Sequence, residues 1–231
     1  MPGPGKPPAV LFSFPKSAAV GRVLPKSKIY EHSKARSQLK NLFVEQVEQI
    51  IWQYKLAPET IHLPDQPDVA EIQLFTVVLK VPECSPKVLD CIDRAIPFPI
   101  IFELAFDNRV KLIAAYKRLT TSGTESATSR PVLSTYFATD WLPKATRRMP
   151  IPVVIHMAQL YAALLQNLLP WPARQKESLS AWVTRVEQAM AKRREIEKTR
   201  DRLCKEKQFN RKVQINANLK QLKDEFEKLI H

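Results

Sequence analysis

The residues that interrupt helices stop abruptly in this chain. All nineteen prolines and all four glycines fall within the first 172 residues, and none occurs from 176 to 230. Without a missing amide or an over-flexible backbone to break it, such a run folds as one long helix or two in tandem. Trp182, Val186, Ala189, Ile196 and Leu203 mark a first apolar seam, weakened by Arg193 and Arg200. Ile215, Leu219, Leu222, Phe226 and Leu229 follow four-three-four-three spacing, the coiled-coil pattern. Stepping by sevens from Leu203 reaches Asn210 and Ala217, which miss the second seam. The register therefore shifts, and an irregularity is expected near 205–213. Five large apolar side chains in one stripe predict a partner interface on the second seam. The partner can be a second copy, the chain's own domain or another protein.

The punctuated part, 10–170, reads as one α+β domain after a tail at 1–9. Apolar spacing of three and four predicts a helix over 33–55, capped by Ser33 and stopped by Pro58. Residues 70–81 alternate and turn apolar on both faces, the mark of a central strand. Ser85-Pro86 opens a short helix to 95. Two apolar runs, 100–106 and 110–119, flank the turn Asp107-Asn108 as a hairpin, and 132–138 adds a strand after a Ser/Thr-rich loop at 120–130. A buried helix is expected over 153–169. The fold class is thus a mainly antiparallel four- to five-stranded sheet with packed helices, followed by a long charged helical segment at 174–231.

Charge is unevenly spread. The net value is +13, yet residues 1–40 hold eight lysines and arginines against one acid, and residues 174–231 hold sixteen against nine. The middle of the chain is close to neutral. Basic ends attract polyanions, DNA or RNA among them. In the C-terminal segment, interleaved acids favour ion pairs along the helix over phosphate contact. The N-terminal arm, with Lys16, Arg22, Lys26, Lys28, Lys34, Arg36 and Lys40 opposed by Glu31 alone, is the stronger polyanion candidate, acting through phosphates. Residues 16–28 are expected to be extended.

Several chemistries are excluded. Three cysteines without a histidine cluster make neither a disulfide framework nor a zinc site. No glycine opens a strand-to-helix turn, so no phosphate loop exists. No signal peptide or apolar run of membrane-spanning length is present, and a cytoplasmic protein without cofactor or metal is expected. A metal-dependent nuclease needs carboxylates and a lysine on adjacent strands. Asp68, Glu71, Glu103 and Lys117 offer a degenerate version, with Gln73 where the lysine belongs. The structural account of the same residues is that Glu71 and Gln73 face solvent and Glu103 pairs with Lys117 across the hairpin. His156, on an apolar helix, reads as packed and hydrogen-bonded.

Six segments occur together in order. They are Phe14-Pro15-Lys16-Ser17 with Leu24-Pro25-Lys26, Trp52 to Leu56 with Pro58-Glu59-Thr60, Ile92-Asp93-Arg94-Ala95-Ile96-Pro97-Phe98-Pro99-Ile100, Ala115-Tyr116-Lys117, Tyr136-Phe137 with Asp140-Trp141, and Lys205 to Val213. This order resembles the prokaryotic family catalogued as domain of unknown function 4391, over nearly the whole chain. The resemblance implies a genomic setting beside DNA methyltransferases and helicases of restriction-like defence systems, and brings no established activity. Two functions follow as expectations. One is a non-enzymatic accessory protein that docks on such a methyltransferase or helicase through its C-terminal helix and contacts nucleic acid through basic segments. The other is the degenerate nuclease.

Overall fold

The computed structural model describes residues 9–33, 36–119 and 131–231. Lys34, the 120–130 loop and all but the last residue of the expected tail lie outside them. Two compact units are present, one ending at Leu168 and the other beginning at Leu169.

The first unit is built on a seven-stranded sheet. Its strands are β2 (Ala19–Val23), β3 (Val47–Leu56), β4 (Ile72–Leu79), β5 (Ile100–Phe106), β6 (Arg109–Leu119) and β7 (Pro131–Ala138), hydrogen-bonded in that order, with β8 (Leu142–Pro143) added to β6. Every pairing is antiparallel except β4 with β5. The helix α4 (Pro86–Ala95) makes the crossover between those two, as parallel neighbours require. It starts as its sequence dictates: the Ser85 hydroxyl accepts from the Lys87 amide and Pro86 takes the first helical position. A separate parallel ribbon pairs β1 (Leu11–Ser13) with β9 (Arg148–Pro150).

One buried cluster of the core lies on the sheet face covered by α1 (Lys26–Ser33), α2 (Ser37–Gln46) and α4, and Leu74, Ile101 and Leu112 are buried on the other face. In that cluster Phe75, Val77, Leu79, Phe102 and Leu104 meet Ile29 of α1, Phe43 of α2, and Val88, Leu89 and Ile92 of α4. Each large side chain buried there contributes about 1.5–3 kcal/mol.

Four sequence expectations are corrected. The helix over 33–55 is α2 followed by the strand β3. Ile50, Trp52, Tyr54 and Leu56 also satisfy a two-residue period, and a β-branched, aromatic-rich run with β4 beside it forms a ladder. The extended arm at 16–28 is a 3-10 turn (Lys16–Ala18), the edge strand β2 and the start of α1. The helix expected from 153 is α5 (Met157–Gln166), because Pro150 and Pro152 hold the preceding chain extended and His156 caps the start, its Nδ1 accepting from the Gln159 amide at 3.2 Å. The sheet exceeds five strands because β2 and β8 are too short or too exposed to show a pattern.

The second unit is a helical hairpin of α6 (Leu179–Lys205) and α7 (Phe209–Ile230), with a break at 206–208 inside the window expected from the register shift. Leu219 and Leu222 are buried against Ile196, with Leu203 and Phe226 packed around them. The second seam is therefore covered by α6. At the hairpin base Arg185 donates to both Glu177 carboxylate oxygens (2.7 and 2.8 Å), to Pro172 O and to Leu229 O (both 2.8 Å). Lys192 bridges to Glu225 across the helices at 2.8 Å. No described helix is long and apolar enough to cross a membrane.

Two outcomes are expected. Cys204 is exposed, Cys91 is buried, and burial pushes the half-buried Cys84 thiol up to about 12. A thiol reagent at pH 8 should therefore show one fast equivalent, abolished by Cys204→Ser; three equal rates would contradict the fold. The second outcome concerns Glu177, whose pKa is lowered, first by its hydrogen bonds from Arg185. A depressed carboxyl stabilises fully above its ordinary value near 4.5 and loses this as pH falls through the folded value. The urea midpoint of Glu177→Gln should fall below wild type at neutral pH, and the gap should close below about pH 4.

Candidate functional site

Lys117 is among the most enclosed side chains of the chain, at 2% exposure. Its ammonium has three protons, and three carbonyls stand ready for them: Asp93 O at 2.7 Å, Phe98 O at 2.8 Å and Ile96 O at 2.9 Å. Asp93 Oδ1 supplies the opposite charge from 2.8 Å. Its other oxygen accepts from the Tyr136 hydroxyl at 2.6 Å. A cation on the terminal carbonyls of α4 also suits that end of the helix dipole. Burial raises the Asp93 pKa and lowers that of Lys117, each opposed by the partner's charge. Tyr136 is raised by burial first and by Asp93 second.

Lys117 follows a bulge in β6 between Ala115 and Lys117. There the fully buried Tyr161 hydroxyl accepts from the Lys117 amide (3.0 Å) and donates to Ala115 O (3.1 Å), replacing lost ladder bonds. Three of the segments that carry the family resemblance, 92–100, 115–117 and 136–137, thus meet at one joint.

Three of the four residues of the nuclease reading, Glu71, Glu103 and Lys117, take separate partners. Glu71 bonds to Lys55 (3.1 Å) and accepts from the Gln73 amide. Gln73 itself is buried, which corrects its placement toward solvent. Glu103 accepts twice from Arg148 Nη2, at 2.9 and 2.8 Å. It lies opposite Leu112 in the hairpin, so the expected pairing with Lys117 does not occur. Asp68 is exposed and shares a small pocket of about 40 Å³ with Lys117. Among the described residues no three histidine, cysteine, aspartate or glutamate side chains group as metal ligands.

The basic arm is folded into the domain. Lys26 Nζ donates to Phe43 O (3.2 Å) and Val47 O (2.5 Å), closing the end of α2, and burial lowers its pKa. Lys28 stands 3.5 Å from Glu31. Lys16 and Arg22 remain exposed without an ion pair among the described residues. In the hairpin the interleaved acids are spent near the middle of α6, where Lys192 meets Glu195 and Arg193 meets Glu197. Toward the tip the balance changes. Residues 198–212 hold Lys198, Arg200, Arg202, Lys205, Lys207, Arg211 and Lys212 against Asp201 and Glu206. All seven bases are exposed, and none lies in a salt bridge among the described residues. Glu206 Oε1 is engaged by the Lys207 and Gln208 amides at 2.8 and 2.9 Å. Phe209 stands 77% exposed among these charges.

Of the second seam, Leu219 and Leu222 are buried, and Ile215, Phe226 and Leu229 are half-buried. Sequence reasoning missed the tip because it counted acids along the helix without knowing which ones paired. The break at 206–208 was the signal that could have located it.

The first unit also holds a cleft of about 430 Å³ between the β1–β9 ribbon, α5 and the sheet face opposite α1, α2 and α4. Phe14 and Tyr54 form part of its wall, their rings 5.1 Å apart. Asn167 ties the ribbon down, accepting from the Val10 amide (2.8 Å) and donating to Val10 O (2.5 Å).

A mixed sheet with one helical crossover, an internally saturated lysine and a basic helical hairpin define an α+β protein. The chain belongs to the family described as Domain of unknown function (DUF4391), which matches residues 12–226. No curated protein and no solved structure matches it.

Removing one partner of a buried ion pair strands the other. Lys117→Ala should therefore cost about 3–5 kcal/mol, and Tyr136→Phe about 1–3 kcal/mol, in urea unfolding. A Lys117→Ala protein as stable as wild type would remove the joint from the account of the fold.

Proposed function

We propose that this protein is a non-enzymatic accessory protein that contacts nucleic acid, with the hairpin tip as its main phosphate-binding element. The observation that carries this reading is the set of seven exposed bases at 198–212 that lack ion-pair partners among the described residues. Unpaired cations at a helix–helix turn gain most from a polyanion, because they lose no existing partner on binding. Each phosphate neutralised releases condensed counterions, so such contact is strong at low salt and indifferent to sequence. Lys16 and Arg22 add to the same field. Lys26 does not, since its ammonium already closes α2.

The genomic setting implied by the family resemblance makes DNA the first polymer to test, and a DNA methyltransferase or helicase the protein partner to test. With Leu219 and Leu222 buried in the hairpin, docking on such a partner would use the outer helix surfaces rather than the seam.

Fluorescence anisotropy with a 20-base-pair duplex would measure the effect. Replacing Lys205, Lys207, Arg211 and Lys212 by alanine should weaken binding at least about tenfold at 100 mM salt and flatten the log–log salt slope by about 3–4. Replacing Lys16, Arg22 and Lys28 should cost less. Equal losses from the two variants, or no binding at 25 mM salt, would reject the tip as the contact element.

A further inference from the structure

The cleft beneath the β1–β9 ribbon has the make-up of a small-molecule site. Its volume of about 430 Å³ falls in the usual range for ligand pockets, roughly 300–1,000 Å³. Much of its lining is apolar or aromatic, with Phe12 and Phe14 on the ribbon side and Tyr54, Leu74 and Ile101 on the sheet. Set into that surface are three polar side chains with unspent capacity. Gln53 and Thr76 line the cleft from β3 and β4, and Lys144 lines it beside Arg148. Among the described residues none of these three side chains has a hydrogen-bond or ion-pair partner. The sheet-face polar groups Gln53 and Thr76 are half-buried, and Lys144 is exposed.

The chemistry of this set is selective. A glutamine amide offers one acceptor and two donors in a plane, which suits the polar edge of a heterocycle. Aromatic walls favour a planar ring by offset or edge contact. Lys144 is a free point charge for an anion. Arg148 is held by both oxygens of Glu103 and by Phe12 O at 3.2 Å, so its spare donors are fixed in direction before any ligand arrives. With one carboxylate against two cations, the cleft carries a net positive charge and suits a ligand bearing a small negative one.

We propose that this cleft binds a nucleotide, its base against Phe14 and Tyr54 with Gln53 and Thr76 reading the base edge, and its phosphate on Lys144 and Arg148. A free mononucleotide and the 5′-phosphorylated end of a strand present the same chemistry. This site shares no residue with the hairpin tip and does not depend on it.

Isothermal titration of the full chain with AMP, GMP, CMP and UMP tests the proposal. At least one should bind with a dissociation constant of about 1 mM or tighter. Lys144→Ala, a change at an exposed side chain, should weaken every nucleotide about tenfold. Gln53→Leu with Thr76→Val should reduce affinity and erase differences between bases. The alanine variant of the tip should leave mononucleotide affinity unchanged. A 5′-phosphorylated hexanucleotide and its 5′-hydroxyl counterpart, titrated into the tip variant, separate the two sources. Tighter, Lys144-dependent binding of the phosphorylated strand assigns the strand end. Equal binding of both strands, with AMP or its equivalent held through Lys144, assigns the free nucleotide. Absence of binding by all four nucleotides, or binding that survives both cleft variants, overturns the proposal. If the double variant does not fold, the Lys144→Ala result decides alone.

Discussion

A single buried ammonium ties together the parts of the first unit that have least to do with each other in sequence. Lys117 rises from β6, yet its three protons go to carbonyls at 93, in the last turn of α4, and at 96 and 98, between α4 and β5. The one parallel pairing of the sheet, β4 with β5, depends on that crossover returning at the right height. Carbonyls at a helix end have no intrahelical partner and must find donors elsewhere. Here the donor comes from the neighbouring antiparallel strand, and Tyr136 of β7 completes the set through Asp93. Four successive elements, α4, β5, β6 and β7, are thereby fixed to one point. The arrangement specifies geometry more than it adds stability, since taking both charges out of water offsets much of their attraction.

Electrostatics divides the molecule by use. Inside the first unit every buried charge is consumed locally, Lys117 by Asp93 and by backbone. Surface cations are treated differently in the two halves of the basic composition. In the N-terminal part Lys26 closes α2 and Lys28 pairs with Glu31, and Lys16 and Arg22 stay open. At the hairpin turn the bases are left open, and the nearby acid Glu206 is engaged by backbone amides. Net charge alone did not separate these cases, because both ends carry similar excess.

Much of the framework was legible because local signals agreed with the final fold. Ser85-Pro86 opened α4, Asp107-Asn108 turned the β5–β6 hairpin, and the seam mismatch after Leu203 fell where the C-terminal helices part. Where local signals were degenerate, the reading failed. Ile50 and Tyr54 fit both a helical and a two-residue period, and the neighbouring β4 decides between them. Lys117 was visible as a residue of interest but not as a helix cap, because its partners lie about twenty positions away. The cleft was hidden for a related reason. Gln53, Thr76 and Lys144 stand far apart in the chain, and no spacing rule joins them.

The Arg185 clamp makes the helical hairpin a lever. Roughly twenty residues of α6 separate the clamp from the tip, about 30 Å of helix at 1.5 Å per residue. The bases at the tip are thus carried at the end of the hairpin far from this clamp. By simple geometry a tilt of about 5° at the clamp sweeps the tip through roughly 2–3 Å over that length, about one phosphate spacing along a duplex axis. Under the proposed phosphate contact, the clamp of Arg185 and Glu177 would set how finely the far end can follow a charged polymer, although neither residue comes near it.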